Sequence, residues 1–190
     1  MLQDIAPLAL DIEYLNRKAE DNDYLVVCNG NRVLIQEDRE SLFPVIADAR
    51  RHYEINTDRL IYLFDISGKR FFLSPGILPE TGNLIYHNIR SLRERQPKWL
   101  CFAAATAMHL AVGYDHHRYC GKCAHPMVQK EEERALHCPQ CGLVVYPRIN
   151  PVVIVGLTDG NRLLLTKNAN QEYTNYALIS GFMEISEALE

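Results

Sequence analysis

Two C-x-x-C pairs with fourteen residues between them, Cys120-Gly-Lys-Cys123 and Cys138-Pro-Gln-Cys141, constrain this chain more than any other feature. On a short hairpin such pairs bring four sulfur atoms to one point, the arrangement of a zinc ribbon with a closed tetrahedral site. Gly121 and Gly142 suit the tight turns that aim successive sulfurs at one ion. The rival reading, two disulfides, requires an oxidising compartment. The N-terminal residues include Asp4, Asp11 and Glu13 and no basic leader. A cytoplasmic protein with a structural Zn2+ on Cys120, Cys123, Cys138 and Cys141 is therefore expected. Four thiolates saturate the ion, which leaves His116, His117, His125 and His137 surface or supporting roles.

The 190 residues suffice for one large domain or two small ones beside the ribbon. A formal charge of −4 argues against a partner held mainly through phosphates. No apolar run reaches the roughly 18 residues of a membrane-spanning helix. The pattern along the chain predicts an α+β fold. Residues 1–95 read as a β-rich domain. Segments 24–28 and 32–36 flank the turn Asn29-Gly30-Asn31, and 60–64 and 70–73 flank Ser67-Gly68, with a short helix within 43–51. Pro97 opens a helix that runs to 112 and stops at Gly113, so residues 96–117 form a linking helix. Its face of Leu100, Ala103, Ala104, Ala107 and Ala111 allows another element to approach closely, in a second copy of the chain or within one chain.

The ribbon occupies 118–146, with Lys130-Glu131-Glu132-Glu133-Arg134 as a solvated hairpin tip. Cys28 and Cys101 stand alone and read as buried small side chains. After an extended linker from Tyr146-Pro147 to Pro151, residues 152–157 read as a buried strand. The turn Asp159-Gly160-Asn161 leads into a second strand over 162–166, and 176–179 suggests a third. Residues from Gly181 to Glu190 then read as a loop entering the first turn of a helix.

Gly181 with Glu187 six positions on matches the opening of a Nudix box, Gly, five residues, Glu, seven residues, then Arg-Glu-x-x-Glu-Glu-x-Gly. Set after a four-cysteine ribbon, Tyr146-Pro147-Arg148, Pro151 and a strand–Asp-Gly–strand hairpin, it closely resembles the zinc-ribbon NADH pyrophosphatases of the Nudix superfamily. The similarity is strong from about residue 97 onward and only architectural before it. Ser180 and Ser186 stand where the family usually has alanine and glycine. The Arg-Glu-x-x-Glu-Glu segment is not among these residues, so the resemblance implies an N-terminal part of such an enzyme, with 147–190 the first part of a Nudix domain.

What the resemblance implies is hydrolysis of the pyrophosphate of NADH or NAD+ to the mononucleotide and AMP, and removal of NAD caps from RNA. It implies Mg2+ or Mn2+ for catalysis and a homodimer. By the same resemblance Arg90 (or Arg93), Glu133, Tyr146 and Phe182 contact substrate. Ser180 offers its carbonyl to the catalytic metal, and Glu187 supports the helix or a metal-bound water. Read without the resemblance, Phe182 and Tyr146 suit core packing, and Glu133 and Arg90 suit solvated charge. Two other functions fit the sequence: a zinc-ribbon module that binds RNA or protein, and a pseudoenzyme that binds a nucleotide without cleaving it. With the principal metal-binding glutamates missing, the 190-residue polypeptide itself is expected to be inactive.

Overall fold

The computed structural model describes residues 3–37, 42–167, 169 and 175–188, without the side chain of Glu94. The chain divides into two compact units, Met1–Pro147 and Arg148–Glu190. The first unit combines short strands with helix, as an α+β sequence should give, and the described residues of the second contain short strands without helix.

In the first unit, β1 (Leu10–Asp11), β2 (Tyr24–Val26), β5 (Ile61–Ile66) and β6 (Lys69–Leu73) form a four-stranded sheet in the order β1-β5-β6-β2. A second sheet, β3-β4-β7, consists of Cys28–Asn29, Arg32–Gln36 and Leu84–Asn88. The two turns expected from Asn-Gly and Ser-Gly are present. Gly30 has φ 58°. Ser67 and Gly68 both have positive φ, 49° and 83°, the backbone of a tight two-residue hairpin, and the Gly68 amide donates to Asp65 Oδ1 at 2.6 Å.

The first hairpin is shorter than the sequence suggests. Only Cys28 and Asn29 pair with β4, whereas residues 24–26 run parallel to β6. The cause is a strand that is apolar on both faces. Val26 faces the core that contains Val33, Ile35 and Phe71, while Leu25 and Val27 face a separate core with Leu34 and Ile46. Such a strand is stable only between two layers, and it joins the sheets by passing from one to the other at Val27. Buried Asp23, at its entrance, accepts from Arg70 Nε at 2.7 Å.

The predicted 43–51 helix is one turn, α1, over Ile46–Ala49. The linking helix α2 spans Lys98–His116. Gly113 does not stop it. The glycine lies inside the last turns and its carbonyl receives His117 Nδ1 at 2.7 Å, so the helix ends at His117. Ala103, Ala104 and Ala107 are fully buried and Ala111 nearly so, all against the first core of the same chain. The small-residue face is thus used within the protomer and is not a free surface for a second copy.

Two short ladders follow in the ribbon: β9 (Leu136–His137) pairs with β8 (Val128–Gln129) and with β10 (Val144–Val145). In the second unit β11 (Val152–Val155) pairs with β14 (Ile179–Phe182), and β12 (Thr158–Asp159) forms a hairpin with β13 (Arg162–Leu163). The expected burial of 152–157 is not found: Ile154 is 66% exposed and Val155 52%. These are two-stranded ladders with no second layer over them among the described residues of this unit, so their apolar faces stay open. The expected start of a helix is a turn at 185–186, and its last two residues lie outside the described residues. No helix among the described residues is long and apolar enough to cross a membrane.

Candidate functional site

Each C-x-x-C pair sits in a knuckle of the same design. The Cys120 amide donates to the His125 carbonyl at 2.8 Å, and the Cys138 amide to the Leu143 carbonyl at 2.8 Å. The Ala124 amide returns to Cys120 O at 2.8 Å and the Gly142 amide to Cys138 O at 2.9 Å. Gly142 has φ 74°, as a turn glycine should; in the first knuckle the left-handed residue is Ala124, φ 59°, rather than Gly121. The second cysteine of each pair is what the turn must redirect, so the strained position follows it.

The four Sγ atoms lie within 4.8 Å of one another, and no other such group of His, Cys, Asp and Glu is found among the described residues. Cys120 Sγ is 3.5 Å from Cys141 Sγ, and Cys123 Sγ is 3.4 Å from Cys138 Sγ. These separations far exceed a disulfide bond and approach the edge, about 3.8 Å, of a tetrahedron with zinc–sulfur bonds near 2.3 Å. Electrostatics point the same way. Burial opposes ionisation of Cys120, yet amide hydrogen bonds from Lys122 and Cys123 help hold it at about 6. The His125 amide would lower Cys123, but hydrogen bonds within the sulfur cluster push it up to about 12. Four thiolates cannot share this space without a cation, and the donor set fits a structural Zn2+.

Between the knuckles the run Lys130–Arg134 was expected to be solvated, and only Glu131 and Glu132 are exposed. Lys130 Nζ meets Glu133 Oε1 at 2.5 Å, and the Tyr146 hydroxyl lies 3.2 Å from both Glu133 oxygens. The Lys130 hydrogen bond, aided by Tyr146, holds Glu133 below the usual carboxylate range, and Glu133 in turn raises Lys130. Two of the expected substrate residues, Glu133 and Tyr146, are thus joined directly. β10 delivers Tyr146, half-exposed, to a small groove with Leu110, Tyr114, Arg134 and Pro147.

Arg90 lies elsewhere in this unit. It is exposed on the 3-10 helix Ile89–Glu94, capped by Asn88 Oδ1, which accepts from the Arg90 amide at 2.9 Å; Arg93 is on the same helix. Neither Glu133, Tyr146 nor Arg90 lines the larger cavity of about 640 Å³ bounded by Cys28, Leu73, Ile77, Met108 and Met127.

In the second unit, Ser180 and Phe182 are on β14, opposite Ile154 and Val152, and the Phe182 ring is 73% exposed. Core packing of Phe182 is therefore not observed within its unit. The Glu187 carboxylate accepts from the Glu184 amide at 2.7 Å and closes the turn after the strand. Ser186, where the family usually has glycine, has φ 72°. The missing glycine thus has a backbone meaning that the sequence pattern alone did not supply.

Comparison with known proteins places the ribbon. Residues 115–146 match the NADH pyrophosphatase zinc ribbon domain. Over its second half the chain is similar to zinc-ribbon proteins of this kind. Among the similar proteins is the NAD-capped RNA hydrolase NudC of Chromobacterium violaceum, 40% identical over 88 residues, 46% of this chain and 33% of that protein. NudC of Pseudomonas fluorescens is 43% identical over 74 residues, 39% of this chain and 27% of its own length. NudC of Klebsiella pneumoniae is 33% identical over 106 residues, 55% of this chain and 41% of that protein. The chain thus matches between about a quarter and two-fifths of the length of these relatives.

Sequence reasoning missed Tyr14, Lys130 and Arg134 as partners at the ribbon tip. Tyr14 is 116 residues from Lys130, whose carbonyl its hydroxyl reaches at 3.0 Å. No local pattern marks it. Arg134 lies in a charge run, and only the folded tip, with Glu131 and Glu132 exposed and Lys130, Glu133 and Arg134 half-buried, separates its inward members from its solvated ones.

Proposed function

We propose that this chain is part of a metal-dependent NAD(H) diphosphatase, which hydrolyses the pyrophosphate of NADH or NAD+ to nicotinamide mononucleotide and AMP and removes NAD caps from RNA. The observation that carries the reading is the match of residues 115–146 to the NADH pyrophosphatase ribbon. The relatives named NAD-capped RNA hydrolases support the capped-RNA substrate. On this reading 147–190 begins the Nudix domain, and the protein is a cytoplasmic homodimer.

The substrate assignments follow from what each side chain offers. Phe182 presents an open ring to a base, a contact worth about 1–3 kcal/mol in nucleic-acid complexes. Tyr146 and Glu133 offer a hydroxyl and a carboxylate already aligned, so a substrate hydroxyl or amino group can join the pair without reorganising it. Arg90, exposed beside the linking helix, supplies charge for phosphate. Mg2+ or Mn2+ neutralises the pyrophosphate oxygens and acidifies the attacking water. The groups assigned to that ion here are the Ser180 carbonyl and Glu187, whose carboxylate is engaged with the Glu184 amide. They are too few to enclose a cation, and the 190-residue polypeptide alone is expected not to hydrolyse NADH.

The test is NADH hydrolysis with millimolar Mg2+ or Mn2+, followed by chromatography of the products. It compares the 190-residue polypeptide with one extended by a segment bearing Arg-Glu-x-x-Glu-Glu. AMP and reduced mononucleotide from the extended protein alone support the reading. Cleavage by the 190-residue polypeptide would overturn the placing of catalysis in the downstream segment. No cleavage by a folded extended protein would overturn the activity.

A further inference from the structure

The N-terminal strands and the ribbon meet in a set of contacts around Tyr14 and Arg134 that lies apart from the four cysteines. β1 pairs with β5 only through Leu10 and Asp11, and then leaves it. On its other edge β5 has a bulge between Tyr62 and Phe64, where Leu63 has no partner in β6. Arg134 Nη2 donates to the carbonyl of Ile12, just past the end of β1, at 3.1 Å and to the carbonyl of Leu63. A bulge that re-aims backbone groups thus supplies one anchor for a side chain of the ribbon, and the departing strand supplies the other.

Tyr14, two residues after Ile12, completes the contact. Its ring lies under the Arg134 guanidinium, 5.5 Å from centroid to Cζ. Its hydroxyl donates to the Lys130 carbonyl at 3.0 Å and accepts from Gln129 Nε2 at 2.8 Å. The loop so held is short: the Lys130 amide bonds the Ala135 carbonyl at 2.9 Å, and the Ala135 amide bonds Glu133 O at 2.8 Å. The backbone is therefore tied at both ends of the Lys130–Glu133 pair, at Lys130 by Tyr14 and, one residue past Glu133, at Arg134 by its anchors on Ile12 and Leu63.

We propose that Tyr14 and Arg134 are positioning residues, a clamp by which the N-terminal domain holds Lys130 and Glu133 in the orientation that presents Glu133 to Tyr146 and substrate. The clamp gives the N-terminal domain a task in the reaction that its strands do not otherwise show. It rests on the reading of Glu133 as a substrate contact, and the experiment separates the two. Both carbonyls are bound by one nitrogen, Nη2, while the guanidinium plane lies over the Tyr14 ring; a lysine ammonium can donate to the carbonyls but offers no planar group to lie over the ring.

The test uses the zinc-loaded 190-residue chain with Tyr14→Phe, Arg134→Lys and Arg134→Met. Nitrogen-detected NMR at neutral pH reports whether the Lys130 ammonium is held by Glu133, through slowed exchange of its protons. Tyr14→Phe and Arg134→Met should lose that signature, with zinc still at one equivalent, and Arg134→Lys should keep part of it. An unchanged signature in folded Tyr14→Phe would overturn the clamp, even if Arg134→Met fails to fold. The second measurement is NADH affinity by fluorescence, referred to Glu133→Gln. Tyr14→Phe should weaken binding about fivefold, the weight of one net hydrogen bond. If Glu133→Gln leaves NADH affinity unchanged while Tyr14→Phe still frees Lys130, the substrate reading fails and the clamp stands only as architecture. If Glu133→Gln weakens binding and Tyr14→Phe does not, the positioning role is overturned.

Discussion

Ala124 and Gly142 occupy the same place in the two zinc knuckles, each following the second cysteine of its pair in a left-handed backbone, φ 59° and 74°. An alanine there costs about 1 kcal/mol relative to an unstrained position, so the two knuckles are alike in geometry and unequal in strain.

Gly142→Ala should weaken zinc binding about fivefold, because metal affinity and ribbon folding are coupled and the added Cβ brings about 1 kcal/mol of backbone strain. The space is open, with nothing within 4 Å of such a Cβ, so sterics add nothing. Ala124→Gly should have a smaller effect of opposite sign, since the freed strain is offset by a more flexible unfolded chain. Competition with a chromophoric chelator measures both. Equal zinc affinity for Gly142→Ala and the parent would contradict the assignment of strain to these positions.

Thiol labelling separates the ribbon cysteines from the others. Zinc-loaded protein should resist a maleimide at all six cysteines, Cys28 and Cys101 because burial raises their thiols and the ribbon four because they are metal-bound. A strong chelator should release zinc and expose four, leaving Cys28 and Cys101 slow. Mass spectrometry counts the labels. Four rapid labels before chelation would rule out a closed zinc site.

Burial also sets the alkaline behaviour. Cys28 is pushed from 9.0 up to about 12, so between those values the unfolded chain releases a proton that the folded one keeps. Its contribution to stability is complete below the unfolded value and is lost as pH rises toward the folded one, at roughly 1.4 kcal/mol per pH unit for one site. Tyr62 and Tyr86, raised chiefly by burial, act in the same direction. Denaturant unfolding should therefore show stability falling above about pH 9, and Cys28→Ala should flatten the slope. An identical slope in the variant would mean that Cys28 is not the group responsible.

What the sequence revealed and concealed follows one division. The cysteine pairs, the Ser67-Gly68 turn and the linking helix are local patterns, and local chemistry decides them. The seam at Val27 is not local: that 25 and 27 face one core and 26 another depends on which strands arrive at each side. Gly113 resembled a helix stop, but the helix continues because Tyr114, just beyond it, still packs on the core, and favourable burial outweighs a cost near 1 kcal/mol. The ribbon-tip site was half legible. Resemblance pointed to Glu133 and Tyr146, whereas Arg134 and its anchor at Leu63 are 71 residues apart and depend on a bulge no sequence period shows.

Ser186 and Glu187 give the last prediction. The turn after β14 needs a left-handed residue at Ser186, φ 72°, so that the Glu187 amide reaches Glu184 O at 3.2 Å and its carboxylate takes the Glu184 amide at 2.7 Å. Glycine fills this conformation without a Cβ penalty, which is a physical reason for the family's preference there. Ser186→Gly should tighten the turn by up to about 1 kcal/mol, less the entropy it adds to the unfolded chain. Glu187→Ala should open the turn by removing a charge-assisted bond to a backbone amide. Hydrogen exchange at the Glu184 amide reads both changes, slower in Ser186→Gly and faster in Glu187→Ala. If exchange at Glu184 is the same in Glu187→Ala as in the parent, Glu187 does not hold this turn, and its carboxylate is free for the supporting role beside a catalytic metal.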